Sequence, residues 1–288
     1  MNEFESLHFQ SVAFTGQASG PRLIVLGAVH GNETCGTQAI RRVIGEIESG
    51  QLHIIAGSVT FVPVTNPLAY ARHQRMGDRN LNRNLVPTDA PSEFEDRIAN
   101  WLCPLLTQHD ALLDLHSFHT AGQPFVMLGP EDNDGSLEPF ARSSEETALA
   151  LRLGVHRFVD GWLDTYAAGV ARRVAAGASS READVHYGVG TTEYMRAQGG
   201  IALTLECGQH DDAAAPEVAY GAIRNTLAHL GLSGAPAPAA VTDTEALRLY
   251  QVIDRAHADD RFVRAWASFD RVQAGEVIGT RHDGTAVR

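Results

Sequence analysis

Apolar residues fall in short runs along this chain, and three of those runs end in an ionisable side chain. Residues 23–29 (LIVLGAV) are continuous in their hydrophobicity rather than alternating, and lead into His30-Gly31-Asn32-Glu33. A run of this kind predicts a strand buried on both faces of a parallel sheet. Residues 111–116 (ALLDLH) and 201–206 (IALTLE) predict strands ending in His116 and Glu206. Residues 58–64 (SVTFVPV) predict a fourth strand, and the apolar run 123–129 a further one. Helical patterns lie between them. Residues 34–48 place Ile40, Val43, Ile44 and Ile47 on one stripe. Ser92 and Glu95 read as a capping box for a helix running to about Thr107. Residues 138–153 are helix-like with an acidic start, and 216–230 carry Pro216 at the first turn. Residues 154–190 are weakly patterned, and the Gly-Ala-Ser patch at 175–180 predicts no regular element.

Strands alternating with helices predict an α/β fold over residues 1–230, a mixed, largely parallel sheet flanked by helices. Residues 231–240 (GLSGAPAPAA) have the composition of a linker. Beyond it, residues 247–253, 261–269 and 276–281 read as short strands, with Asp283-Gly284 as a hairpin turn. Residues 241–288 are therefore expected to form a small β-rich C-terminal domain. Its return strand, 285–288, stops after four residues, which suggests an incomplete appendage.

Composition narrows the function classes. The 288 residues are 44% hydrophobic and 20% charged, as expected for a globular enzyme rather than a disordered chain. A net charge of −12 disfavours nucleic acid or an anionic membrane as partner. No apolar run approaches the ~20 residues that cross a bilayer. The three cysteines, Cys35, Cys103 and Cys207, have no CxxC spacing, and with no secretory signal at the N-terminus a soluble cytoplasmic protein is expected. A homo-oligomer is left open.

In a mostly parallel sheet, the carboxyl ends of the strands lie along one edge. His30, Glu33, His116 and Glu206 can therefore converge although they are far apart in sequence. Two histidines and one carboxylate, with a position left for water, form the ligand set of a catalytic zinc site. Glu206 would then be the general base. Taken singly, a histidine at a strand end is more often a hydrogen-bonded structural group than a ligand; the case rests on four such residues at three strand ends. His119 reads as a surface or supporting residue, Cys207 as a buried thiol, and His73, His186 and His210 as rim residues. The polar segment 69–89 is long and unpatterned, and it carries Arg72, Arg75, Arg79 and Arg83. A charge run is usually a solvated face; the functional alternative is anion recognition by guanidinium groups.

The ordered series His30-Gly31-Asn32-Glu33, Asn66-Pro67, Arg75, Asn82-Arg83, Asp114-Leu115-His116 and Leu205-Glu206-Cys207-Gly208 resembles the succinylglutamate desuccinylase/aspartoacylase family. That family is related to the zinc carboxypeptidases. The resemblance covers residues 20–230, and the tail resembles the family's small β-rich domain. It implies a zinc carboxypeptidase-like fold with one Zn2+ per chain held by His30, Glu33 and His116. Glu206 would be base and proton donor, Arg75 would polarise the amide carbonyl, and Asn82 and Arg83 would grip a substrate carboxylate. Arg196 stands where the family carries another carboxylate-binding arginine, and Tyr194 is a weaker substrate-binding candidate. Asn80 replaces an aspartate of the family pattern, and Thr192 a tyrosine. The implied activity is hydrolysis of an N-acyl amino acid, a small-molecule substrate, by metal-activated water. The alternatives are a metallocarboxypeptidase acting on short peptides and a non-catalytic sensor of an acidic metabolite.

Overall fold

A computed structural model describes residues 7–175, 177, 179 and 183–288. Residues 176, 178 and 180 of the patch at 175–180 lie outside the described residues. The main sheet has eight strands in the order β1-β3-β2-β4-β7-β5-β6-β8. They are β1 (Val12–Thr15), β2 (Ala18–Gly27), β3 (Ala56–Val62), β4 (Ala111–Phe118), β5 (Phe125–Met127), β6 (Arg157–Asp160), β7 (Ile201–Gln209) and β8 (Glu245–Arg248). The central strands β3, β2, β4 and β7 run parallel. Strand β1 is antiparallel to β3 and β5 to β7, while β6 and β8 continue parallel to β5. This is the mixed, largely parallel sheet that the continuous apolar runs predict.

Both faces of the central strands are covered, so their residues alternate between two cores. On one face Leu23, Val25, Val59, Phe61, Leu113 and Leu203 pack with α1 (Cys35–Glu48) and α7 (Ala215–His229). On the other, Ile24, Leu26, Val62, Leu112 and Ala202 meet Ile98, Leu102 and Leu106 of α3 (Phe94–Leu106) and Met195 of α6 (Thr191–Ala197). Along β4 and β7 this second face turns polar toward the carboxyl ends. Leu112 gives way to Asp114 and His116, and Ala202 to Thr204 and Glu206. The register pairs Asp114 with Thr204 and His116 with Glu206. Period-two alternation thus places the catalytic candidates side by side.

Several boundaries differ from the sequence pattern. Asn66 caps a short helix, α2 (Pro67–Ala71), its side-chain oxygen accepting the Ala69 N–H at 3.1 Å. The predicted cap of α3 is displaced by one residue: Asp96, not Glu95, receives the Glu93 N–H at 3.0 Å. Glu95 is instead buried under the arginine loop. Helix α4 is confined to Ser143–Ala150, and α5 occupies Trp162–Ala175.

After the linker the chain contributes to two sheets. Its first strand, β8, joins the main sheet beside β6. The others, β9 (Arg261–Phe262), β10 (Gly279–Thr280) and β11 (Ala286–Val287), form a small antiparallel sheet. Gly284 at φ +85 turns β10 into β11, where the hairpin is predicted.

Candidate active site

Strand β2 ends at Gly27, and Ala28 takes a left-handed conformation (φ +48) that turns the chain into His30. The Glu33 N–H donates to the His30 carbonyl at 3.1 Å, closing a turn that brings both side chains together. Gly31 is required by close approach, since a Cβ there would lie 2.0 Å from the carbonyl carbon of Ala69. His116 arrives from the end of β4. His30, Glu33 and His116 are all buried, with candidate ligand atoms within 4.8 Å of one another.

The three side chains present their ligating atoms to one point. His30 Nδ1 lies 2.9 Å from Glu33 Oε1, His116 Nδ1 2.9 Å from Glu33 Oε2, and the two Nδ1 atoms 3.2 Å apart. Tetrahedral ligands about 2.0–2.1 Å from a zinc ion stand roughly 3.3 Å from each other, so this spacing fits a small dication. The outer ring nitrogens are held as well. His30 Nε2 donates to Asn80 Oδ1 at 3.0 Å; that oxygen also accepts the Asn82 N–H, which fixes it as the acceptor. His116 Nε2 lies 3.0 Å from Asp114 Oδ2. His30, with Nε2 as its donor, thereby turns an Nδ1 lone pair inward, the arrangement a metal requires.

Charge follows the same layout. Burial would raise the Glu33 carboxyl, but the adjoining His116 and His30 rings hold it well below the usual carboxylate range. Burial lowers His30, while Asp114 and Glu33 outweigh burial at His116 and raise it. Glu206 differs from all of these. Burial, reinforced by the Glu33 charge and opposed by His116, pushes it up to about 8, and its Oε2 is buried without a hydrogen-bond partner. An unpartnered carboxylate oxygen beside a cluster of metal-ligand type is free to exchange a proton.

The arginine loop is anchored rather than solvated. Glu95 accepts from the N–H groups of Gly77, Asp78 and Arg79 and from the Asn66 amide. Arg79 is buried and pairs with Asp96 at 3.0 Å and Glu93 at 3.1 Å. This anchoring holds Arg75 so that Nη1 donates to Glu33 Oε1 at 2.9 Å. Arg83 lies over the Trp162 ring, 4.6 Å from its centroid, and Nη1 donates to the Asn82 carbonyl at 2.6 Å. Asn82 Oδ1 accepts the Thr191 N–H at 2.8 Å, tying the loop to α6. His30, Arg75, Asn82, Arg83, His116 and Glu206 line one cavity of about 310 Å³.

Two expected substrate contacts do not present their polar groups to it. Arg196 reaches the cavity wall, but its donors are directed into the protein. Nε and Nη2 donate to Glu146 at 2.8 and 3.1 Å, Nη1 to Glu138 at 2.8 Å, and Nη2 also to the Ala202 carbonyl at 2.5 Å. It is an internal cation because α4 and β7 close over it. Tyr194, two positions earlier on α6, packs instead against the core formed with α3. There its hydroxyl meets Cys103, and burial pushes it up to about 12.

Other residues take supporting positions around the site. Asp114 and Asn80 orient the two histidines; Asp114 is two residues before His116 on one strand face, a spacing visible in the sequence. His210, expected at the rim, has Nδ1 2.8 Å from the hydroxyl of Ser117, which follows His116. Cys207 is buried, and burial raises its thiol well above the ordinary range, as befits a packed side chain.

Among the described residues no helix is long and apolar enough to cross a membrane. The model of the succinylglutamate desuccinylase/aspartoacylase catalytic domain matches residues 19–158. No curated protein sequence matches the chain. Among solved structures, the succinylglutamate desuccinylase/aspartoacylase from Rhodobacter sphaeroides is 19% identical, with a TM-score of 0.69 over 96% of this chain and 77% of its own. A succinylglutamate desuccinylase from Silicibacter sp. TM1040 is 18% identical, with a TM-score of 0.69 over 97% and 79%. The product-bound ectoine utilization protein EutE (DoeB) from Ruegeria pomeroyi is 18% identical, with a TM-score of 0.60 over 96% and 85%. Residues 19–158 are thus similar in sequence to the catalytic domain of the succinylglutamate desuccinylase/aspartoacylase family, and the chain shares the fold of solved structures that bear that name along nearly its whole length.

Proposed function

We propose that the protein is a zinc-dependent hydrolase that cleaves the amide bond of an N-acyl amino acid. The observation that carries this reading is the buried His30, Glu33 and His116 cluster, with the unpartnered Glu206 beside His116 in register. His30 and His116 through Nδ1, and Glu33 through its carboxylate, would hold the ion. Bound zinc supplies Lewis-acid polarisation of a carbonyl and lowers the pKa of water at the site.

The remaining steps belong to this chain's own groups. Glu206 accepts a proton from the attacking water and returns it to the departing amine nitrogen. A group doing both works best with a pKa near the working pH, and a dication at the cluster would draw the Glu206 carboxyl down from about 8. Arg75, already at the Glu33 carboxylate, donates to the carbonyl oxygen as it gains negative charge. Arg83 binds the substrate carboxylate, with Asn82 holding the loop to α6. The unpartnered Glu206 favours a hydrolase over a sensor, since binding alone needs no general base. A reducing, cytoplasmic setting is part of the same proposal and is supported by three buried free thiols.

The test is metal analysis of the purified protein together with an amine-release assay on N-acetyl and N-succinyl amino acids. The expected result is about one zinc per chain, release that a chelator abolishes, and recovery on adding zinc. Release that survives complete removal of the metal would overturn the reading.

A further inference from the structure

The groups that line the cavity leave room for one carboxylate and not for two. Of its three guanidinium groups, Arg75 gives Nη1 to Glu33 and has its remaining donors assigned to the scissile carbonyl by the proposed function, and Arg196 is directed to Glu146 and Glu138. Arg83 is the third. Its one hydrogen bond among the described residues runs from Nη1, leaving Nε and Nη2 available to an anion. The buried carboxylate of Glu193 also lines the wall, so a second substrate carboxylate would meet a like charge.

Apart from Thr192, Glu193, Arg196 and Thr204, the wall away from the metal cluster and the arginine loop is apolar. Register on β5 and β7 sets Phe125 beside Glu206 and Met127 beside Thr204 on one face. Val159, Trp162, Leu249 and Phe269 complete the chamber. Phe269 comes from the segment after the linker and is fixed from three sides. The Ser268 N–H donates to the Ala121 carbonyl at 2.8 Å, the Phe125 ring lies 5.0 Å away edge-on, and the Arg157 guanidinium sits 4.1 Å over the ring. A carboxylate placed among these side chains would be buried without a partner, whereas an alkyl or aryl group would leave water for a matching surface.

The approach has the same bias. An outer cleft of about 1280 Å³ shares Leu128, Trp162, Glu193 and Arg196 with the inner cavity. Its walls carry Glu131, Asp132, Glu138, Asp160 and Asp164, and its other arginine, Arg248, pairs with Asp160 and Asp164. A negative mouth slows a dianion more than a monoanion.

We propose that the substrate is a monocarboxylate N-acyl amino acid bearing an alkyl or aryl group, bound with its carboxylate on Arg83 and the apolar group against Phe125, Met127, Val159 and Phe269. This rests on the amide-hydrolase reading and narrows it. The apolar group can belong to the amino acid or to the acyl half, and the assay separates the two.

The experiment compares the zinc-loaded full chain on N-acetyl-L-leucine, N-acetyl-L-phenylalanine, N-benzoylglycine, N-acetyl-L-aspartate and N-succinyl-L-glutamate. Binding of L-leucine, L-phenylalanine, benzoate, L-aspartate and L-glutamate is measured in parallel by calorimetry. The expected kcat/KM is about 10- to 100-fold higher for the better apolar monocarboxylate than for either dicarboxylate, the factor that burying one Leu- or Phe-sized group carries. Preference for N-acetyl-L-phenylalanine over N-benzoylglycine assigns the chamber to the amino-acid side, and the reverse to the acyl side. Phe269→Ala is expected to raise KM for the preferred substrate about tenfold. Tighter apolar binding without turnover would sustain this proposal and overturn the hydrolase reading. Equal or better handling of the dicarboxylates would overturn this proposal and leave the hydrolase standing. Neither binding nor turnover of any compound would overturn both.

Discussion

Replacing Arg196 with methionine distinguishes an internal cation from a substrate anchor. Methionine keeps an apolar stem of similar reach and removes the charge. Glu146 and Glu138 are then left buried beside Glu193 without their guanidinium. Removing one partner of a buried ion pair costs about 3–5 kcal/mol. Glu146 keeps the N–H groups of Gly129 at 2.7 Å and Ala202 at 2.9 Å, which places the loss toward the lower end. For 288 residues the entropy of unfolding is about 0.6 kcal/mol per kelvin, so Tm falls by roughly 5–8 °C.

The loss also has a pH signature. Burial, and then repulsion from Glu193, pushes the Glu138 carboxyl up to about 7 despite the attraction of Arg196. A folded-state pKa above the ordinary 4.5 means that the folded chain holds the extra proton. Its contribution to stability is therefore complete below about pH 4.5 and is lost as pH rises through 7. Without Arg196 the carboxyl rises further, so the deficit against wild type widens between pH 5 and 8. Thermal unfolding at four pH values, with KM measured well below Tm, checks both parts. A Tm within about 1 °C of wild type, combined with a tenfold higher KM, would make Arg196 a substrate anchor and refute this reasoning.

Three further substitutions probe the site. Glu206→Gln removes the proton acceptor and is expected to keep its zinc while losing about 10²–10⁴ in kcat; metal content and steady-state rates check it, and a loss of zinc would make Glu206 a ligand instead. Arg75→Ala is expected to lower kcat by about 10²–10³ with zinc retained, as for loss of one oxyanion donor, and near-normal turnover would remove Arg75 from the chemistry. Asn80→Ala frees the His30 Nε2 hydrogen bond and is expected to weaken metal affinity about 10–100-fold in a chelator competition. Unchanged affinity would show that the histidine needs no such orientation.

The sequence is most legible where one strand carries the whole argument. Continuous apolar runs predict the doubly covered strands β2, β4 and β7, and the groups at their ends meet because parallel register leaves no other arrangement. Roles that depend on a partner from elsewhere are less legible. Glu95 reads as a helix cap from its spacing to Ser92, yet it serves the backbone of the loop at 77–79, one turn of chain that no periodicity connects to it. Arg79 and Arg83 look alike in a run of arginines; one is locked by Asp96 and Glu93, and the other faces the cavity.

Arg196 shows why that division matters for specificity. Its position on α6 invites the role of carboxylate anchor, and a lone guanidinium at the cavity wall would fill it. What cancels the role is Glu146, fifty residues earlier on α4, together with Glu138, and neither sits in a motif. The same two carboxylates line the outer cleft while neutralising Arg196, so they remove one anion site and leave that cation unable to draw a dianion in. Ligand positions on neighbouring strands are set by register, whereas the charge a substrate meets is set by how remote side chains pair. The candidate metal site is accordingly readable from three strand ends, and the proposed substrate class only once Arg196 is seen with its partners.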